Sequence, residues 1–138
     1  MSLRVLLLLT VLFWGTTPVF EKLALRGGSP LVILFYRVIF IAVCVGGALV
    51  ATGQGSHLVR LDGRTLLFTG LSALTGGVLG LTTYFHALQK GQASVVVPLI
   101  STYPVVTVLL SFVVMGEPIT LTKAVGVALI VAGVMLLR

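Results

Sequence analysis

The chain has 138 residues, 58% of them hydrophobic and only 9% charged, with a net charge of +6. Soluble domains carry about 25% charged residues, so the composition excludes an ordinary soluble domain and indicates an integral membrane protein. Nine Lys and Arg against three Asp and Glu are too few and too dispersed for a phosphate-tracking groove. Nucleic acid is therefore excluded as a partner, and basic loops beside a lipid bilayer are the ordinary reading of the charge.

Five apolar segments, each near the ~20 residues that a spanning helix needs, predict an all-α polytopic membrane protein in a single domain over residues 1–138. They are Val5–Leu25, Leu31–Thr52, Thr65–Leu88, Ala93–Met115 and Ile119–Leu137. The first is too long for a signal-peptide core and is interrupted by Trp14-Gly15 and Pro18, so it reads as a retained span. Tryptophan prefers the membrane interface. Near the middle of a span, Trp14 reads either as the wall of a binding cavity together with Pro18, or as a tight interhelix contact. Glu21 and Lys22 lie near the end of this segment, and Lys22 reads as a headgroup anchor. Arg26-Gly-Gly-Ser-Pro30 is a turn, with Pro30 suited to the first position of the next helix.

Arg37 lies about two turns, ~10 Å, into the second segment. An arginine within a span costs at least ~2.5 kcal/mol and is a candidate for function or ion pairing. Snorkelling to the nearby interface is the alternative. Glu21 lies on the same membrane side across the short turn. An ion pair between Glu21 and Arg37 would make Glu21 less available as a proton carrier; without that pair, Glu21 is the acid placed to couple protons. Cys44, a single cysteine in an apolar run, reads as a small packing residue.

Gly53–Arg64 is a polar loop. On the third segment Ser72, Gly76, Gly80 and Tyr84 are spaced four apart. Gly76 and Gly80 would let backbones approach closely, which suggests an intrachain contact. Tyr84 and His86 lie near the segment's end, on the side of Glu21 and Arg37. Tyr84 is a cavity candidate, and His86 reads as a solvated interfacial histidine. Lys90 reads as a second headgroup anchor.

The fourth segment, ASVVVPLISTYPVVTVLLSFVVMGEP, has no charge before Glu117 but carries Pro98 and Pro104 within its apolar run. Each proline removes an intrahelical hydrogen bond. In a bilayer the freed carbonyls need partners from protein or a water-lined cavity. Ser101, Thr102 and Tyr103 could supply them, which predicts a discontinuous helix lining a cavity, with Pro98 and Tyr103 in its wall. Tyr103, Thr107 and Ser111 share a mildly polar face. Gly116-Glu117-Pro118 reads as an interfacial turn, with Glu117 capping the last helix, where the dipole favours a negative charge. On that helix Ala124, Ala128 and Ala132 form a small-residue stripe suited to contact with another subunit.

Five spans put the termini on opposite sides. Arg4, Arg60, Arg64 and Lys123 then fall on one side, and Lys22, Arg26, Lys90 and Arg138 on the other. The positive-inside rule gives no preferred orientation for such a chain. It could insert both ways and pair with itself as an antiparallel dimer; a single orientation set by Arg60–Arg64 is the alternative. The sequence has no His/Cys metal cluster, no phosphate-binding glycine loop and no adequate pair of acids for acid–base chemistry. No enzymatic activity, catalytic residue, metal or cofactor is therefore expected.

Several stretches together resemble the EamA domain of the drug/metabolite transporter superfamily. These are FWGTTPVFEKLAL in the first segment, LFYRVIFIAV with Arg37 in the second, and the block from YFHALQKGQASVVVPL through MGEPITLTKAVGVALIVAGVMLL. The resemblance implies a secondary transporter of small metabolites or drugs in the plasma membrane (the inner membrane of a bacterium), usually an exporter. Many members have ten helices as two inverted five-helix repeats, whereas this chain has one repeat. It corresponds to one half of that architecture, which two antiparallel copies would rebuild. The cavity would then be lined by Trp14, Pro18, Arg37, Tyr84, Pro98 and Tyr103. A lipid-linked sugar flippase and a non-transporting assembly or regulatory subunit are the alternative functions.

Overall fold

A computed structural model describes residues 2–55 and 61–137. Arg60 and Arg138, two of the residues in the charge comparison, lie outside the described residues. The chain divides into two compact units, one ending at Lys90 and the other starting at Gly91, and the described secondary structure is helical.

The first unit opens with α1 (Leu3–Ala24), an uninterrupted helix despite the buried Pro18 inside it. The Thr16 and Thr17 hydroxyls both donate to the Phe13 carbonyl, at 2.9 and 2.8 Å. They enrich local hydrogen bonding in the turn that a proline amide cannot complete. After the turn comes α2 (Pro30–Ala51), which starts on the buried Pro30 behind an extended Ser29. The third apolar stretch, Gly63–Lys90, is helical throughout but not uniform. It runs as α3 (Gly63–Ser72), a π-helical segment (Ala73–Gly80) and α4 (Leu81–Lys90).

That π segment changes the geometry expected from the four-residue spacing. Ser72, Gly76, Gly80 and Tyr84 form a straight stripe only with α-helical i→i+4 bonds, and i→i+5 bonding displaces each turn from the next. A methyl placed on Gly76 would meet nothing within 4 Å, so the expected intrachain contact is not made there among the described residues. At Gly80 the added methyl would stand 3.0 Å from the Thr75 carbonyl oxygen, five residues earlier. A side chain at Gly80 would thus press on the preceding turn of the π segment.

Within this unit α4 packs against α2 and α1. Phe85 and Leu88 on α4 are fully buried, and Leu25 and Leu34 nearly so. Most other large apolar side chains of the helices are exposed, as expected where lipid replaces a protein core.

The second unit contains α5 (Ala93–Ile100), a turn at Ser101–Tyr103, α6 (Pro104–Met115) and α7 (Leu121–Met135). The discontinuity falls between the two prolines. The carbonyls bordering it find partners close by in sequence: Val97 O accepts from the Ser101 amide and hydroxyl, at 3.0 and 2.9 Å, and Leu99 O from the Thr102 hydroxyl at 2.8 Å. The Tyr103 amide donates to Ile100 O at 3.0 Å. These carbonyls therefore need no water-lined cavity to be satisfied. Helix α6 ends at Gly116, whose φ of 68° is the left-handed conformation that glycine adopts at a helix C-terminus. The cap of α7 is Thr120, whose hydroxyl accepts from the Lys123 amide at 3.3 Å. This corrects the expectation for Glu117, which lies three residues too early to cap; its carboxylate instead faces the Lys123 ammonium at 3.6 Å.

Among the described residues, four helical stretches are long and apolar enough to cross a membrane: Leu3–Ala24, Pro30–Ala51, Gly63–Lys90 and Ala93–Met115. The fifth expected span is an apolar helix of 15 residues, Leu121–Met135. Its length of about 22 Å is short of a hydrocarbon core of ~30 Å.

The two kinds of helix respond differently to an added methyl. In α3 a methyl at Gly70 meets nothing within 4 Å, so Gly70→Ala should leave stability unchanged or raise it by up to ~1 kcal/mol. At Gly80 the Thr75 carbonyl would have to give by a few tenths of an ångström, so Gly80→Ala should destabilise by ~1–3 kcal/mol. Thermal unfolding of the detergent-solubilised protein tests this; equal melting temperatures for the two variants would contradict the π assignment.

Candidate functional site

The charges of the first unit meet where α1, α2 and α4 come together. Glu21, in the last turn of α1, is only 8% exposed. Its Oε1 accepts from Arg37 Nη1 of α2 at 2.5 Å, and its Oε2 accepts from the Tyr84 hydroxyl of α4 at 2.9 Å. The Arg37 guanidinium also lies over the Phe85 ring, 5.7 Å from its centroid. Both carboxylate oxygens are thus occupied, and the positive charge has an anion on one side and an aromatic face on the other. This is how a charge becomes tolerable among apolar helices: the pair is neutral overall and charge-assisted hydrogen bonds replace hydration. Of the two alternatives for Glu21, the structure has the ion pair.

Lys22, the next residue, does not point away as a headgroup anchor would. Its Nζ donates to the carbonyls of Leu88 and Gln89, at 2.5 and 3.1 Å, near the C-terminus of α4. The last carbonyls of a helix lack intrahelical partners and carry the negative end of its dipole, so a lysine there satisfies both needs. Consecutive residues of α1 therefore bind two different helices: Glu21 holds α2 and the middle of α4, and Lys22 holds the end of α4. The sequence offered a signal in the adjacency of Glu21 and Lys22 near the end of an apolar run, but nothing local names their partners. Tyr84, expected to line a cavity, is here a hydroxyl donor that orients Glu21. His86 is exposed, and its Nδ1–H donates to the Thr82 carbonyl at 2.8 Å within α4.

The other expected cavity residues fall in both units. Trp14 and Pro18 share the face of α1 that carries Glu21, at spacings of seven and three residues. Pro18 is buried, whereas Trp14 is 69% exposed. Pro98 lies inside α5, and Tyr103, at the start of α6, is 56% exposed; both belong to the second unit. Ala124, Ala128 and Ala132 are all exposed along α7. Sequence reasoning missed a groove of about 380 Å³ between α6 and α7. Thr107 and Ser111 contribute hydroxyls to it, Gly126 and Ile130 form its far wall, and Glu117 and Lys123 also line it. Among the described residues, no cluster of His, Cys, Asp and Glu is suited to hold a metal ion.

Removing one partner of a buried ion pair leaves an uncompensated charge and costs about 3–5 kcal/mol. An unmade hydrogen bond to a buried group costs about 1–3 kcal/mol. Arg37→Gln should therefore lower the melting temperature most, Tyr84→Phe less, and Lys90→Ala, at an exposed position, least. Unfolding curves of the three variants in one detergent would check the order; an Arg37→Gln protein as stable as Lys90→Ala would show that the pair contributes nothing.

Comparison with known proteins gives the chain a family. Residues 2–138 match the model of the EamA-like transporter family. An uncharacterized transporter of Sinorhizobium sp is 34% identical over 130 residues, covering 94% of this chain and 92% of the relative. An uncharacterized protein of Methanocaldococcus jannaschii is 31% identical over 130 residues, covering 94% and 91%. An uncharacterized transporter of Archaeoglobus fulgidus is 28% identical over 133 residues, which is 96% of this chain but 47% of that protein. No solved structure matches. A family pattern that spans a helical, apolar chain almost from end to end, with transporters among the relatives, establishes that this membrane protein belongs to the EamA-like transporter family.

Proposed function

We propose that the chain is a secondary transporter that exports small organic molecules across the plasma membrane by alternating access, working as an antiparallel homodimer. The observation that carries this reading is the Glu21–Arg37–Tyr84 cluster. Ionisable groups kept inside apolar helices are costly and mark substrate pathways or the devices that gate them. This cluster joins three helices through side chains alone, so it can break and re-form without unfolding any of them. In this reading it closes one end of the pathway in each copy. Two inverted copies would carry one such closure at each membrane face, as alternating access requires.

Family membership supports transport as such. The match to less than half of the Archaeoglobus transporter is compatible with a unit used twice in longer relatives. The dimer reading also draws on surfaces that a single chain leaves open: Trp14 on the face of α1 that leads to Glu21, and the alanine stripe of α7. A second copy would cover the former as a cavity wall and the latter as a contact. Because Glu21 is already paired, this reading assigns it to the gate rather than to proton coupling.

Two experiments test the proposal. In proteoliposomes Arg37→Ala should reduce flux at least about tenfold, as expected for loss of an interaction worth more than ~1.4 kcal/mol, while Lys90→Ala stays near the wild type. The absence of flux across a panel of amino acids, amines and nucleobases would favour a non-transporting subunit. Reporter fusions after Arg138 should be found on both sides of the membrane. A single location would exclude the antiparallel homodimer, and two added lysines in the Gly53–Arg64 loop should produce that single location and abolish activity.

A further inference from the structure

Thr82 does not behave like its neighbours. Threonine in a helix ordinarily donates its hydroxyl to a carbonyl three or four residues earlier. Thr10, Thr17, Thr69, Thr75 and Thr83 all do so here, at 2.8 to 2.9 Å. The Thr82 hydroxyl oxygen is sealed from solvent and has no hydrogen-bond partner. Thr82 follows the π segment directly, where the Leu81 amide donates to both the Gly76 and the Val78 carbonyls. A buried hydroxyl without a partner costs about 1–3 kcal/mol, and native proteins keep few of them.

Thr82 lies one turn before Phe85 on α4, and the Arg37 guanidinium lies over the Phe85 ring. The unpartnered hydroxyl and the arginine thus belong to the same α2–α4 contact. Arg37 itself is underused. Its side chain is 31% exposed, and of its five N–H donors one bonds Glu21. The others have no hydrogen bond among the described residues. A guanidinium fork with unspent donors, lying over a ring one turn from an unpartnered hydroxyl on the facing helix, matches a carboxylate. Such a group accepts two parallel bonds from arginine and a further one from a hydroxyl. The surroundings are apolar helices, so the body attached to that carboxylate should be apolar.

We propose that Arg37 and Thr82 form a subsite for the carboxylate of an apolar organic anion, and that Glu21 is the resident carboxylate with which such a ligand competes for Arg37. This deepens the transport reading by naming a substrate class, and it rests on that reading only for its physiological role; binding can be measured without transport. Binding would require the Thr82 side chain to turn its hydroxyl from the sealed position, and helical threonine has two accessible rotamers. The ligand would replace the Glu21 contact on the arginine, and Glu21 would keep the Tyr84 hydroxyl.

The test is binding of 3-phenylpropionate and its neutral amide, 3-phenylpropanamide, to the detergent-purified full chain by titration calorimetry. The wild type should bind the acid and not the amide. Thr82→Val, nearly isosteric, should weaken acid binding roughly three- to tenfold, the equivalent of one hydrogen bond. Arg37→Gln should abolish it. Glu21→Gln, which removes the competing charge, should tighten it about tenfold or more. A purely structural role for the ion pair predicts the opposite for Glu21→Gln: equal or weaker binding from a less stable protein. Equal affinity for acid and amide, or unchanged affinity in Thr82→Val, would overturn the proposal, and Thr82→Val decides the matter if Glu21→Gln does not remain monodisperse. Acid binding without flux in proteoliposomes would support the subsite while counting against transport. Flux of other solutes without acid binding would leave transport standing and remove the subsite.

Discussion

An isolated carboxylate or guanidinium cannot be held among apolar helices without a counter-charge, and much of the first unit follows from that constraint. Glu21 and Arg37 are sixteen residues apart in sequence, yet 2.5 Å apart in space. Meeting that distance brings the end of α1 to the first turns of α2. Tyr84 then draws α4 to the same carboxylate, and Lys22 holds the carbonyls at the end of α4. The fully buried side chains, Phe85 and Leu88, lie on α4 amid these polar contacts. In a bilayer the hydrophobic effect gives helices little reason to choose one another. Directional polar contacts, backed by close packing, can make that choice.

The two backbone irregularities meet the same demand for satisfied polar groups in different ways. At Ser101–Tyr103 the helix breaks, and the carbonyls bordering the break are capped by hydroxyls and amides a few residues away. That break is locally self-sufficient. Between Ala73 and Gly80 the helix continues but widens, and two residues beyond its end the buried Thr82 hydroxyl has no partner. The proline break satisfies its own carbonyls, whereas beyond the π segment a buried polar atom stays unpartnered on the helix that packs against Arg37. This asymmetry is why the ligand is proposed at the α2–α4 contact rather than at the proline break.

Much of the architecture was legible before any coordinates. Apolar runs of about spanning length, the Pro30 helix start, the interruption between Pro98 and Pro104 and the turn at Gly116 all follow from local rules of hydropathy, proline and glycine. So does the potential of Glu21 and Arg37 to pair, because a short turn leaves two opposite charges at similar depth. The cap of α7 was misplaced at Glu117 because an acidic residue near a helix start resembles a cap, whereas the backbone decides which residue stands at the boundary. Gly76 and Gly80 were grouped as one packing face because their spacing assumes an α-helical register that the π segment does not keep.

By itself, then, the sequence determined that this chain is an apolar helical membrane protein, where its helices begin and end to within a few residues, and which charges could not remain unpaired. These depend on transfer free energies and backbone stereochemistry, which act over a few residues. Tertiary structure alone decided that Lys22 spends its charge on α4, that Tyr84 orients Glu21, and that Thr82 is left without a partner. Each of these depends on how one helix is rotated and packed against another, which a residue's neighbours along the chain do not encode.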